Sequence, residues 1–256
     1  RDISTLLLYS DLGENSILRQ LSGIFSDWAH GECEKPVLVS RIYQQVKRLL
    51  DLATRYGFNC NLWHDYLTFV LMMNENSFSL TCERVGASDG SVNHFAKAAF
   101  AVFKRLFDFD FAPIEQDLGI DCFTVLENYT AIPKKAQMYY RTVSEKVRAL
   151  SAAIAGAKDE NEIFDLVTAH YRDCGVGMFG LNRAFRIQED ENGSFTLNAI
   201  NNIDSVLLSD LIGYEPQKKE LRQNTEAFVS GRAANNVLLY GDAGTGKSTS
   251  VKAILN

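Results

Sequence analysis

The sequence predicts a mainly α-helical N-terminal region with a β-hairpin, followed by the start of an α/β domain. Apolar residues recur at helical spacing over about the first 180 residues. The spacing then changes to strict alternation around residues 184–198. Near the end of the chain, a short apolar run leads directly into a glycine-rich loop. We therefore expect a helical domain with its hairpin over 1–200 and the beginning of an α/β domain over 201–256.

The first part of the helical region contains three amphipathic stretches. The first helix is predicted from about Asn15 to Trp28, and Gly31 and Pro36 separate it from the second. The second is predicted from Val37 to near Gly57. The third, from Leu62 to Met73, is apolar enough that we expect it to be buried on most sides.

The second part of this region is less uniform. A helix is predicted over Phe95–Leu106, after the turn residues 89–91. A loop is predicted through Ala112-Pro113, and the pattern over Ile120–Ala131 is ambiguous. Pro133 is predicted to open a helix of about 24 residues, and Asp159 to begin another.

The period-2 segments 184–188 and 194–198 flank the turn-forming residues 189–193, which predicts a β-hairpin. A linker at Asn201-Asn202 then leads to a small predicted helix around Ser205–Asp210.

The last segment has the pattern of a helix, a strand and a second helix. Glu215–Phe228 is predicted to be helical, and Gly231 to end that helix. Val237–Tyr240 is apolar throughout, as in strands buried in a parallel sheet. A helix is predicted to begin at Lys247.

The loop between this strand and helix is Gly241-Asp242-Ala243-Gly244-Thr245-Gly246-Lys247-Ser248, which matches the P-loop pattern G-x-x-x-x-G-K-[ST]. Its three glycines permit backbone angles that a side chain would forbid, so successive N–H groups can converge on phosphate oxygens. Lys247 is the catalytic candidate, because its ammonium can neutralise the β- and γ-phosphates. The Ser248 hydroxyl is the candidate Mg²⁺ ligand. The motif predicts binding of ATP, or a close relative, with Mg²⁺ through Gly241, Asp242, Ala243, Gly244, Thr245, Gly246, Lys247, Ser248 and Thr249.

The segments around the P-loop resemble the opening of an AAA+ ATPase module. They are 210–215, a following helix, and 235–248. The amino-acid sequence at residues 213–215, 224–228 and 234–240 is most similar to that of an uncharacterised bacterial branch of predicted AAA+ ATPases, catalogued as a domain of unknown function. The resemblance is strong over 204–256 and diffuse before it.

This resemblance implies that Leu211, Ile212 and Gly213 lie beside the adenine. It also implies an intact ATP hydrolase that moves a protein partner, works as a homo-oligomer and uses its helical region for partner or assembly contacts. Many AAA+ loops have prolines where this chain has Asp242-Ala243, which we expect to change the stiffness of the loop rather than its ligand.

The chain stops at Asn256, before any second strand with an acidic pair, sensor residue or arginine finger. We therefore expect a truncated or partly ordered piece of a longer ATPase. On its own it is expected to have no appreciable ATPase activity and to bind nucleotide weakly, if at all.

The composition of the chain limits the cellular locations and the binding partners that we expect for the protein. No apolar run is long enough to span a membrane, and the first residues lack a signal peptide. The five cysteines are scattered, as in a reduced cytoplasmic protein. The net charge of −6 comes entirely from residues 1–200, because the acidic and basic residues of 201–256 balance. Binding of nucleic acid is therefore not expected.

Several alternatives remain open at this stage. His64 is predicted to be a packing residue rather than a base, and a metal site shared with Cys60 is not expected. The phenylalanines of 95–111 favour core packing over a partner groove, and the basic residues of 134–148 favour a solvated helix face. The hairpin could report nucleotide state or be a simple edge. Rival functions are a non-hydrolysing helical scaffold with a regulatory nucleotide, and a helicase-loader-like ATPase.

Overall fold

The computed structural model describes residues 2–132, 139–189, 193–200 and 206–254. It divides into two units, Arg1–Asn201 and Asn202–Asn256. The first unit is helical with one hairpin, as the sequence predicts. Within the described residues, no helix is both long enough and apolar enough to cross a membrane.

The first unit begins with a 3-10 helix, Asp2–Thr5, and continues with ten α-helices in its described part. They are α1 Ile17–His30, α2 Lys35–Tyr56, α3 Leu62–Met73, α4 Ser77–Val85, α5 Val92–Phe107, α6 Ala112–Leu118, α7 Cys122–Glu127, α8 Arg141–Gly156, α9 Glu160–Cys174 and α10 Gly177–Leu181.

Local side chains determine where several of these helices begin and end. The Ser16 hydroxyl accepts from the backbone N–H of Arg19 at the start of α1, and the Asp159 carboxylate caps α9 in the same way. Gly31 and Gly57 end α1 and α2 in the left-handed conformation. The predicted ends at these glycines and the predicted start at Asp159 are therefore confirmed.

The core of the first unit forms around α3, which packs against α8, α5, α7 and α2. Most of the α3 side chains are buried, as its uniform apolarity predicts. Tyr171 of α9 is fully buried, and its hydroxyl donates to the Leu71 carbonyl at 2.8 Å. The polar tips of the buried aromatic residues are thus satisfied inside the core.

Two predictions in this unit need correction. The loop predicted through Ala112-Pro113 is wrong, because these residues begin α6, where proline is tolerated in the first turn; the ambiguous region 120–131 contains α7. The helix predicted to open at Pro133 begins at Arg141 instead, because the described residues Tyr139 and Tyr140 are not helical; residues 133–138 lie outside the described part. Tyr140 precedes that helix and packs its ring against Tyr56, with the ring centroids 5.4 Å apart.

The hairpin consists of β1 Phe185–Glu189 and β2 Phe195–Ala199, paired antiparallel with Ile187 opposite Leu197. Each strand lies one residue later than predicted. The turn residues 190–192 lie outside the described part of the chain. Both strands are largely exposed.

The second unit contains a 3-10 helix, Leu208–Asp210, followed by α11 Glu215–Val229 and α12 Lys247–Ala253. The 3-10 helix lies within the predicted helix at 205–210, while Ser205 and the linker Asn201-Asn202 lie outside the described residues. The predicted strand at Val237–Tyr240 is wrong. We call residues 236–240 the extended segment, because the described part of this unit has no second strand with which it could pair.

Candidate functional site

The P-loop, Gly241–Ser248, connects the extended segment to α12. Gly241, Gly244 and Gly246 have φ values of 142°, 80° and 81°. L-residues rarely adopt these backbone conformations, so the loop depends on glycine at all three positions. The prediction that these glycines adopt backbone angles forbidden to a side chain is therefore confirmed, whereas the convergence of the loop N–H groups and the ligand of the loop stay predictions.

The Lys247 side chain folds back over the loop. Its ammonium donates to the carbonyl oxygens of Gly241 at 2.9 Å and Asp242 at 2.6 Å. The Thr245 hydroxyl also donates to the Asp242 carbonyl, at 2.8 Å. The lysine ammonium is thus held against the backbone of its own loop.

The other residues that the motif predicts to contact a ligand are more exposed to solvent. Asp242, Ala243 and Ser248 are exposed, and Thr249 is half-buried in the first turn of α12. The Ser248 hydroxyl has no hydrogen-bond partner within the described residues, so it is available to a ligand. Ser250, which the sequence analysis did not single out, donates from its hydroxyl to the Gly246 carbonyl at 2.9 Å.

The residues predicted to lie beside the base form a turn, Leu211-Ile212-Gly213, which we call the base-side turn. Leu211 lies directly against the P-loop, because a Cβ atom built on Gly246 would stand 3.1 Å from Leu211 Cδ2. Ile212 is 95% exposed, and Gly213 has a φ of 81°. Of the three, Leu211 is the residue that the structure shows beside the loop.

Two residues that sequence reasoning did not single out fix the elements around the loop. The Lys218 ammonium donates to the Leu211 carbonyl at 2.8 Å and pairs with the Glu215 carboxylate at 2.6 Å. Asn224 of α11 bonds both backbone groups of Asn235, just before the extended segment. The spacing of Glu215 and Lys218 by three helical residues is the one sequence signal that could have drawn attention to either pair.

These elements line an open cavity of about 820 Å³. One wall is α11, which contributes Lys218, Leu221 and Asn224. The extended segment, the P-loop residue Lys247 and Leu211 also line the cavity. The volume falls within the range of small-molecule sites, about 300–1,000 Å³.

His64 and most of the phenylalanines of 95–111 lie in structural surroundings. Burial lowers the pKa of His64, and its Nε2 lies 2.8 Å from the Phe107 carbonyl, which is the environment of a packing residue. Phe100, Phe103, Phe107 and Phe111 are buried in the core, whereas Phe95 and Phe109 are exposed. Within the described residues, no group of three metal-binding side chains is arranged to hold an ion.

The predicted basic face at 134–148 is only partly described. Lys134 and Lys135 lie outside the described residues. Arg141 pairs with Glu145 at 2.7 Å, as on a solvated helix face. Lys146 turns inward, and its ammonium donates to the Gly180 carbonyl at 2.6 Å.

The observations define a chain with a mainly helical unit and a second unit that carries a P-loop sequence motif in a glycine-dependent conformation. Residues 181–256 match a family model described as "Protein of unknown function (DUF815)". The match covers the hairpin and the second unit, less than a third of the chain. No curated protein and no solved structure gives a significant match.

Proposed function

We propose that this chain carries the ATP-binding element of an AAA+ type ATPase. The observation that carries the proposal is the motif Gly241–Ser248, with positive φ at all three of its glycines. A cavity large enough for a small-molecule ligand lies beside the loop. The match of residues 181–256 to the DUF815 model agrees with the resemblance expected from the sequence, and that resemblance extends the proposal from nucleotide binding to AAA+ chemistry.

The residues around the loop fit Mg-ATP. Lys247 supplies a cation that now bonds two loop carbonyls, and it would transfer those hydrogen bonds to phosphate oxygens. Ser248 supplies an exposed hydroxyl for Mg²⁺. Leu211, Ile212 and Gly213 supply an apolar turn for the base. The bound ion would neutralise part of the phosphate charge.

We propose hydrolysis for the intact ATPase, with the helical unit serving partner or assembly contacts in a cytoplasmic homo-oligomer. The negative charge of residues 1–200 favours a protein partner over nucleic acid, because a phosphate backbone is gripped by clustered Lys and Arg. It also counts against a helicase-loader-like ATPase.

Equilibrium binding of a fluorescent ATP analogue, with and without Mg²⁺, tests the proposal. We expect weak but saturable binding to this chain that is at least about tenfold weaker in Lys247→Ala. Binding that is unchanged in this variant would refute the proposed site. If the intact protein binds ATP through the P-loop yet leaves it unhydrolysed for hours with Mg²⁺ present, the regulatory scaffold replaces the ATPase.

A further inference from the structure

We propose that Lys218 is a positioning residue of the nucleotide site: it holds Leu211 against Gly246, so that the base-side turn and the P-loop can engage one nucleotide together. This inference rests on the proposed ATP-binding function. It adds a residue outside the motif to the machinery of that site and predicts which part of the ligand that residue affects.

The first step is the burial of the Lys218 side chain. The side chain of Lys218 is only 10% exposed, although it belongs to a helix that is otherwise mostly solvated. A buried ammonium is costly unless it is hydrogen-bonded and paired. Here the Glu215 carboxylate pairs with it, and the Leu211 carbonyl accepts its hydrogen bond. The lysine therefore ties the turn before α11 to the helix itself.

The second step is the contact between the turn and the P-loop. Leu211 Cδ2 occupies the space beside Gly246 in which a side chain would otherwise lie. Gly246 is the N-cap of α12 and immediately precedes Lys247. A shift of the Leu211 backbone would thus change the packing of the residue that directly precedes Lys247.

The third step concerns the ligand. A nucleotide joins its base to its phosphates by a sugar of fixed length, so the two subsites must be held at the right separation. Inorganic tripolyphosphate has the phosphates without the base. Loss of the Lys218 hydrogen bond should therefore weaken ATP more than tripolyphosphate, whereas a merely structural role would weaken both ligands equally.

The test is an NMR titration of the 256-residue chain with Mg-ATP and, separately, with magnesium tripolyphosphate. The initial slope of the shift changes at the P-loop amides measures relative affinity even where binding is weak. Lys218→Met keeps the aliphatic stem and removes the donor. We expect its affinity for ATP, relative to tripolyphosphate, to fall about tenfold, as for the loss of one charged hydrogen bond.

Two matched variants sharpen the test. Glu215→Gln weakens the ion pair on the exposed side and keeps the bond from Lys218 to Leu211, so its ATP preference should stay near wild type. Lys218→Arg retains a donor and should restore part of the preference. The nuclear Overhauser effect between the Leu211 methyl groups and the Gly246 α-protons should vanish in Lys218→Met alone.

The outcomes separate the two proposals. If wild type binds ATP but Lys218→Met weakens both ligands equally, or leaves the Leu211–Gly246 contact intact, the positioning role is wrong and the proposed function stands. If wild type binds neither ligand, the proposed function fails and the positioning role fails with it.

Discussion

Asn224 and Asn235 form a two-point hydrogen-bond pair: Nδ2 of Asn224 donates to the Asn235 carbonyl at 2.8 Å, and Oδ1 accepts from the Asn235 N–H at 2.8 Å. One side-chain amide thus satisfies both backbone groups of a residue, as a neighbouring strand would. The pair fixes the start of the extended segment to α11 and so fixes the approach of the chain to the P-loop.

Replacement of Asn224 by Ala should release this attachment. We expect the Asn235 amide, which is otherwise exposed, to exchange with solvent about tenfold faster or more, since its protection comes from a single hydrogen bond. Residue-resolved hydrogen exchange measures this. Thr225→Val is the control, because the Thr225 hydroxyl bonds only the Leu221 carbonyl within α11. If the Asn235 amide exchanged equally faster in both variants, its protection would come from the stability of α11 and not from the Asn224 side chain.

Gly246 is predicted to be intolerant of a side chain for two reasons. Alanine there would adopt a φ of 81° and meet Leu211 Cδ2 at 3.1 Å. The left-handed backbone alone costs about 1–2 kcal/mol. We expect Gly246→Ala to destabilise the second unit in urea and to shift the Leu211 methyl signals. Gly231→Ala is a matched control, because Gly231 has a φ of 68° but open space around its Cβ position. Gly231→Ala should cost stability without moving Leu211.

Asp65 should make the first unit less stable as the pH rises. Burial in the core raises the pKa of its carboxyl from 3.8 to about 6. Between these values the folded state keeps a proton that the unfolded state has lost, so stability falls as the pH rises from about 4 to 6. Asp65→Asn should remove this fall. Its stability relative to wild type should grow by about 3 kcal/mol between pH 3.5 and 7 in urea unfolding. Parallel pH profiles for the two proteins would contradict the assignment.

His170 should make the first unit less stable as the pH falls, which is the opposite of the effect of Asp65. Burial, and then the charge of Lys146, lower its pKa from 6.5 to about 4, and its Nε2 has no partner among the described residues. The unfolded state therefore takes up a proton first, and the contribution to stability is complete above pH 6.5 and is lost as the pH falls towards 4. His170→Leu should resist this acid loss by about 3 kcal/mol. If the stability of His170→Leu fell as steeply with falling pH as that of wild type, His170 would be excluded as the source of this loss.

Local sequence signals predicted those parts of the structure that depend on a few neighbouring residues. The P-loop glycines require positive φ because of the turn that they make, and Gly31, Gly57 and Asp159 act on their own helix ends. These effects need no knowledge of the rest of the fold. The hairpin was also predictable, because strict alternation distinguishes a two-stranded ribbon from the helices before it.

The features that were not predicted depend on partners distant in space. Val237–Tyr240 has strand composition, but strand pairing needs a neighbour that the described part of its unit lacks. Lys218 and Asn224 look like ordinary surface residues of an amphipathic helix, and only the folded chain brings them to Leu211 and Asn235. The position of Leu211 beside Gly246 has the same origin. Sequence patterns thus predicted the loop better than the residues that hold it in place.

The most direct test of the central claim is to map Mg-ATP onto the chain by amide chemical shifts, in wild type and in Lys247→Ala. We predict that the largest changes fall on Gly241–Ser248 and are at least about tenfold weaker in the variant, since a charged hydrogen-bond donor is lost. Thermal unfolding of both proteins should coincide, because within the described residues the Lys247 ammonium bonds only its own loop. No response at the P-loop, or a response centred on the 280 Å³ cavity beside Gly57 and Arg148, would contradict the account.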